Sequence, residues 1–263
     1  MVRVRVKNIL LKTAIIIILC IFGGSTFAAP VNKILTKNEE LFPQGWSVGD
    51  QVKFKKGTMA SLNENGSLVT GVLANDTYLR PQGWQRIIND YYSVAAYTER
   101  SFFLPRYYRY WNNSGTYNIA LPSSGHIRYK GGTAVTFSEQ GTVLSGTIVD
   151  KTTIGIGERQ YGFVDFKSDS LLTFYDNGAV KTGTLSEDTK LRPVGWKNNA
   201  INMENAGFVE FKAKSVVNLT QNGEVTSCTV KNVLKWKNKG MEVELPPNAL
   251  INFTELGAEV VTP

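Results

Sequence analysis

The sequence predicts an all-β protein of tandem β-hairpin repeats forming an elongated sheet or solenoid, with a five- or six-unit propeller-like closure as the alternative. Three observations carry this. Val164 to Trp196, VDFKSDSLLTFYDNGAVKTGTLSEDTKLRPVGW, recurs without a gap at Val52 to Trp84 as VKFKKGTMASLNENGSLVTGVLANDTYLRPQGW. Val52, Ile127, Val164, Val209 and Val243 each have a glycine fourteen residues on: Gly66, Gly141, Gly178, Gly223 and Gly257. Between start and glycine the apolar residues fall at even offsets, with Phe54, Tyr129, Phe166, Phe211 and Leu245 at two and Ala60, Val135, Leu172, Val217 and Ile251 at eight. A spacing of two is the period of a strand with one buried face.

Composition agrees. There are 24 glycines, 11% aromatic residues and only 19% charged residues, which favours many short strands and turns. Residues 1–28 have the form of a secretory signal. Arg3, Arg5, Lys7 and Lys12 precede an apolar run from Ala14 to Gly24, and Thr26-Phe27-Ala28 offers cleavage near Ala28. The run is too short for a membrane span, which needs about 20 residues. Without the leader, the formal charge falls from +7 to 25 − 22 = +3. A weak, dispersed charge excludes the concentrated basic stripe of a nucleic-acid binder. The expected location is secreted, periplasmic or cell-surface, with no transmembrane span in the mature chain.

The lead-in, 29–51, contains Leu41 to Trp46, the first of three L-x-P-x-G-W segments; the others are Leu79 to Trp84 and Leu191 to Trp196. Proline favours extended geometry before it and glycine permits a tight turn, so Trp46, Trp84 and Trp196 read as plugs seated by a spacer. Arg80 and Arg192 stand where they can lie over an indole; Phe42 takes that place in the first segment. The repeat at 52–84 follows.

Within each unit Asn-Gly (Asn65, Asn177, Asn222) marks the hairpin turn, both residues tolerating positive φ. Gly71, Gly146, Gly183 and Cys228 share offset nineteen, a small-residue site at which a free cysteine is a buried hydrophobe. Apolar parity changes between offsets sixteen and twenty-one, which requires a bulge or a strand buried on both faces. The starts are 75, 37, 45 and 34 residues apart. The doubled first gap leaves room for a sixth, shortened hairpin from Ser101, with Phe103, Trp111 and Gly115 in phase. Repeats continue over 127–261.

The kernel FYDNGAVKTGTL, with LNENGSLVTGVL, FSEQGTVLSGTI and LTQNGEVTSCTV, resembles the NG-hairpin repeats of the MORN-like group. That resemblance implies a stacked scaffold that binds proteins or envelope surfaces, and it implies no catalytic residues.

No constellation in the sequence identifies a reaction, cofactor or metal. His126 is alone, Gly155-Ile156-Gly157 lacks the third glycine of a phosphate cradle, and no nucleophile elbow occurs. Glu64, Glu139, Asp176 and Glu187 read as solvated turn residues, and Asp76 and Asp188 as turn formers. One segment departs from the repeat. Within 85–126, Arg106, Tyr107, Tyr108, Arg109, Tyr110 and Trp111 form an aromatic and arginine tract suited to stacking on a protein or glycan. The expected function is therefore non-catalytic binding of a cell-envelope or extracellular partner through this insert. A self-associating surface component and an envelope-polymer hydrolase are the alternatives.

Overall fold

The computed structural model describes residues 31–46, 51–90, 125–157, 162–201 and 207–261. The leader and the tract 91–124, including the sixth hairpin expected from Ser101, lie outside the described residues.

The first four repeats have four strands each and the last has three, where the sequence promised two. The lead-in supplies β1 (Val31–Ile34) and β2 (Glu39–Leu41). The first unit is β3 (Val52–Phe54), β4 (Met59–Leu62), β5 (Leu68–Val72) and β6 (Thr77–Leu79). The second is β7 (Ile127–Tyr129), β8 (Ala134–Phe137), β9 (Val143–Ile148) and β10 (Thr152–Gly155). The third is β11 (Phe163–Phe166), β12 (Ser170–Phe174), β13 (Val180–Thr184) and β14 (Thr189–Leu191). The fourth is β15 (Val209–Phe211), β16 (Val216–Leu219), β17 (Val225–Thr229) and β18 (Leu234–Asn238), and the last is β19 (Met241–Leu245), β20 (Leu250–Thr254) and β21 (Gly257–Val260).

The inner two strands of each unit form the hairpin, and the hairpins join in chain order into one antiparallel sheet, β1-β4-β5-β8-β9-β12-β13-β16-β17-β20-β21. The sheet is open, ending at β1 and β21, so the propeller-like closure does not form. Strand β5 pairs directly with β8, so the first two units are neighbours in the sheet. The outer strands pair across the repeat boundary: the tail of one unit with the start of the next, as β2-β3, β6-β7, β10-β11, β14-β15 and β18-β19. These ribbons lie over one face of the sheet. Bridges Phe54↔Leu73, Phe166↔Leu185 and Phe211↔Val230 link the layers, as Tyr129↔Ile148 does in the second unit.

The turn chemistry differs in detail from expectation. Gly66, Gly141, Gly178 and Gly223 take positive φ, while the preceding Asn65, Gln140, Asn177 and Asn222 do not. Each turn closes with two bonds, for example Gly178 N to Tyr175 O and Tyr175 N to Ala179 O. This is a three-residue loop ending on a left-handed glycine, and it generates the bulge behind the parity change. Register shifts stand at that place in four units, between Ser61/Leu62, Thr136/Phe137, Thr173/Phe174 and Asn218/Leu219.

The core lies between the layers. Phe54, Tyr129, Phe166 and Phe211 are fully buried. In three units the ring rests on the offset-nineteen glycine: a Cβ on Gly71 would stand 2.9 Å from Phe54 Cδ1, and one on Gly146 2.6 Å from Tyr129 Cδ1. A glycine there lets an aromatic from the ribbon reach the sheet. In the fourth unit Cys228 occupies the site, and Phe211 meets Phe253 edge-on at 6.0 Å. Trp236 also packs on Phe253, at 5.6 Å. Among the described residues the Tyr129 hydroxyl has no hydrogen-bond partner. An unpaired buried polar group costs about 1–3 kcal/mol. Tyr129→Phe should therefore raise stability by about 1 kcal/mol in urea titration; a loss would mean that the hydroxyl is satisfied.

Candidate functional site

The L-x-P-x-G-W segments do more than seat a tryptophan. Each runs beside the return strand of the next hairpin, through parallel bridges Pro43↔Leu68, Pro81↔Val143 and Pro193↔Val225. Its glycine then reaches the hairpin turn of the unit after that. Gly45 meets the turn at Gly141, Gly83 the turn at Gly178, and Gly195 the turn at Thr254 and Glu255. A Cβ on Gly83 would lie 2.8 Å from the Gly178 Cα, so the two backbones touch where no side chain fits. Ile154 to Gly157, which lacks both proline and tryptophan, acts the same way: a Cβ on Gly223 would be 2.6 Å from Gly157 N. Gly157 thus belongs to a clasp, while a Cβ on Gly155 would stand 2.5 Å from Asp90 Oδ2.

Side chains reinforce the clasps. Gln44 Nε2 donates to Phe137 O at 2.7 Å and Trp46 Nε1 to Gly141 O at 2.7 Å. Gln82 Nε2 donates to Asp176 O, and Asn199 Nδ2 to Glu255 O at 3.0 Å. Arg80 covers Trp84 at 4.1 Å, and Arg192 lies between Trp196 at 4.2 Å and Phe208 at 4.4 Å. Trp196 Nε1 donates to Glu224 Oε1 at 3.2 Å. The tryptophans are thus half-buried parts of the joint.

Arg106, Tyr107, Tyr108, Arg109, Tyr110 and Trp111 lie outside the described residues, but both roots of their tract are described. Residues 84–90 are helical. On that helix Ile87 and Asp90 are buried, and Arg86 Nη2 donates to Gly155 O at 3.2 Å and Gly178 O at 3.3 Å. The chain returns at Gly125, where a Cβ would stand 2.8 Å from Ile88 Cγ1. Both ends of the tract therefore meet on one post tied to the second and third units. Half-buried His126 follows directly.

The outward face of the sheet carries a pattern the sequence analysis passed over. Asn32, Ser61, Thr70, Thr136, Ser145, Thr173, Thr182, Asn218, Ser227, Asn252 and Glu259 are successive cross-strand partners from β1 to β21. Two residues along each strand, on the same face, runs a second row of paired positions: Ile34↔Met59, Val72↔Ala134, Thr147↔Leu171, Thr184↔Val216 and Thr229↔Leu250. Of these 21 positions only Glu259 is charged. The ion pairs sit in the ribbons and turns instead, as Arg128–Asp150 at 2.9 Å, Lys151–Asp165 at 2.7 Å and Lys231–Glu210 at 2.9 Å.

The remaining candidates are structural. Asp76 Oδ1 accepts from Gly131 N at 2.9 Å and Asp188 Oδ1 from Ala213 N at 2.7 Å, so each turn acid holds the next unit's backbone. The Lys231 ammonium, with the Ala213 amide, keeps the Asp188 carboxyl below its usual range. Glu64, Glu139, Asp176 and Glu187 are exposed at turns. Cys228 is fully buried, and burial pushes its thiol up to about 12. Among the described residues no group of three or more His, Cys, Asp or Glu is placed to hold a metal, and no helix is long and apolar enough to cross a membrane. No family model matches the chain, and no curated protein or solved structure is detectably similar to it.

Proposed function

We propose that the chain is an exported, non-catalytic binding protein of the cell envelope or extracellular space, which presents the aromatic and arginine tract to a protein or glycan partner. The anchoring of both roots of that tract on one buried post is the observation that carries this reading. Fixing both ends of a segment close together removes part of the conformational entropy that binding would otherwise cost. The leader-like 1–28 and the likeness of the hairpin kernel to MORN-like repeats support export and a scaffold role. Replacing Tyr107, Tyr108 and Trp111 by alanine should reduce retention on native envelope fractions by about tenfold or more, with the melting temperature unchanged. Unaltered retention would remove the tract from the function.

Self-association is the second reading. It is favoured by β1, which is an edge strand among the described residues and whose Val31 and Ile34 are 59% and 71% exposed. Light scattering over a concentration series separates the two, since only self-association requires growth in mass.

A further inference from the structure

We infer that the outward face of the sheet is a second binding surface, separate from the insert, for an uncharged linear polysaccharide lying across the strands. An ordinary solvent face of a sheet mixes threonine with lysine and glutamate. Here every unit repeats the same exclusion: Ser61, Thr136, Thr173, Asn218 and Asn252 occupy one position of the five hairpins. Along the two rows Glu259, on the last strand, is the one charged residue. A polymer carrying phosphate or carboxylate would find no counter-charge in the two rows, so the complementary partner is neutral.

The two rows together define the chemistry further. One offers hydroxyls and amides, which both donate and accept. The other offers aliphatic groups, with Met59 61%, Val216 51% and Leu171 49% exposed. A glycan chain has this same composition, hydroxyl edges flanking C–H-rich ring faces. The polar row is also held in position by its own bonds: Thr182 Oγ1 donates to Asn218 Oδ1 at 2.8 Å, and Asn218 Nδ2 to Ser227 Oγ at 2.8 Å. Eleven strands spaced about 4.8 Å apart make a track of about 48 Å, long enough for many sugars at once.

The test uses the mature full-length chain in sedimentation with two uncharged probes, acid-swollen cellulose and chitin, and with anionic carboxymethyl cellulose. Binding to either neutral polymer and not to the anionic one is expected. A variant with Thr70→Val, Thr136→Val and Thr182→Val keeps the branched side chains and strand propensity while removing three hydroxyls, and should bind about tenfold more weakly at unchanged circular dichroism. Tyr78→Ala, in the ribbon layer, should bind as the parent does. The inference is overturned if the parent binds neither neutral polymer, or if the valine variant binds as well as the parent. It is equally overturned if the parent is a dimer that Leu171→Lys dissociates, since the face would then belong to a second copy. The alanine variant of the insert should leave this binding intact, so the two surfaces stand or fall separately.

Discussion

Gly178→Ala is expected to destabilise the protein by about 3 kcal/mol or more, whereas Gly66→Ala should cost about 1 kcal/mol. Both glycines occupy the same place in their hairpins and take nearly the same φ, 81° and 75°. The left-handed backbone therefore penalises alanine equally at both. What differs is the neighbour. A Cβ on Gly178 would lie 2.8 Å from Gly83 N, backbone that cannot give way, while nothing stands within 4 Å of one on Gly66. Among the described residues no segment reaches the first unit's turn. Urea midpoints of the two variants at constant m-value measure the difference; equal losses would mean that the clasp contributes nothing.

Stability should also fall steeply on the alkaline side. Burial raises the Cys228 thiol from 9.0 to about 12 and raises the Tyr129 phenol as well. Between pH 9 and 12 the unfolded chain loses the cysteine proton while the folded chain keeps it. The unfolded state then binds fewer protons, and folding weakens as pH rises, by at most about 1.4 kcal/mol per pH unit for each group. Below pH 9 neither group contributes. Melting temperatures from pH 8 to 11 should show the decline, and Cys228→Ala should flatten its first part. A slope that survives this substitution unchanged would exclude the thiol as the cause. In the folded protein the same thiol should react with an aromatic disulfide far more slowly than in urea.

The hairpins were legible because their signal is local. Even offsets, a glycine at fourteen and a small residue at nineteen all lie within about twenty residues. The four-strand unit was not, because β3 and β6 are three residues long and pair with neighbours in adjoining repeats. The clasp was further out of reach. Gly83 and Gly178 are paired by stacking, two units apart, and Ile154 to Gly157 performs the task without the proline and tryptophan that mark the other segments. The neutral rows did leave a signal, the uniform small polar residue nine positions after each start. It is invisible to a search for chemistry, which looks for charge, aromatic rings and metal ligands. For the insert, sequence composition and the described roots at residues 84–90 and Gly125 carry the reading.

Repeat arrays whose units touch only their immediate neighbours bend easily, since each joint deforms independently. Here every clasp laps over an intervening unit, as a course of bricks laps the joint beneath. Tilting one hairpin against the next would pull a glycine from the turn beyond. The spacing of the outward rows is consequently held constant along the sheet, and the face has the properties of a ruler: fixed intervals, read out over its whole length at once.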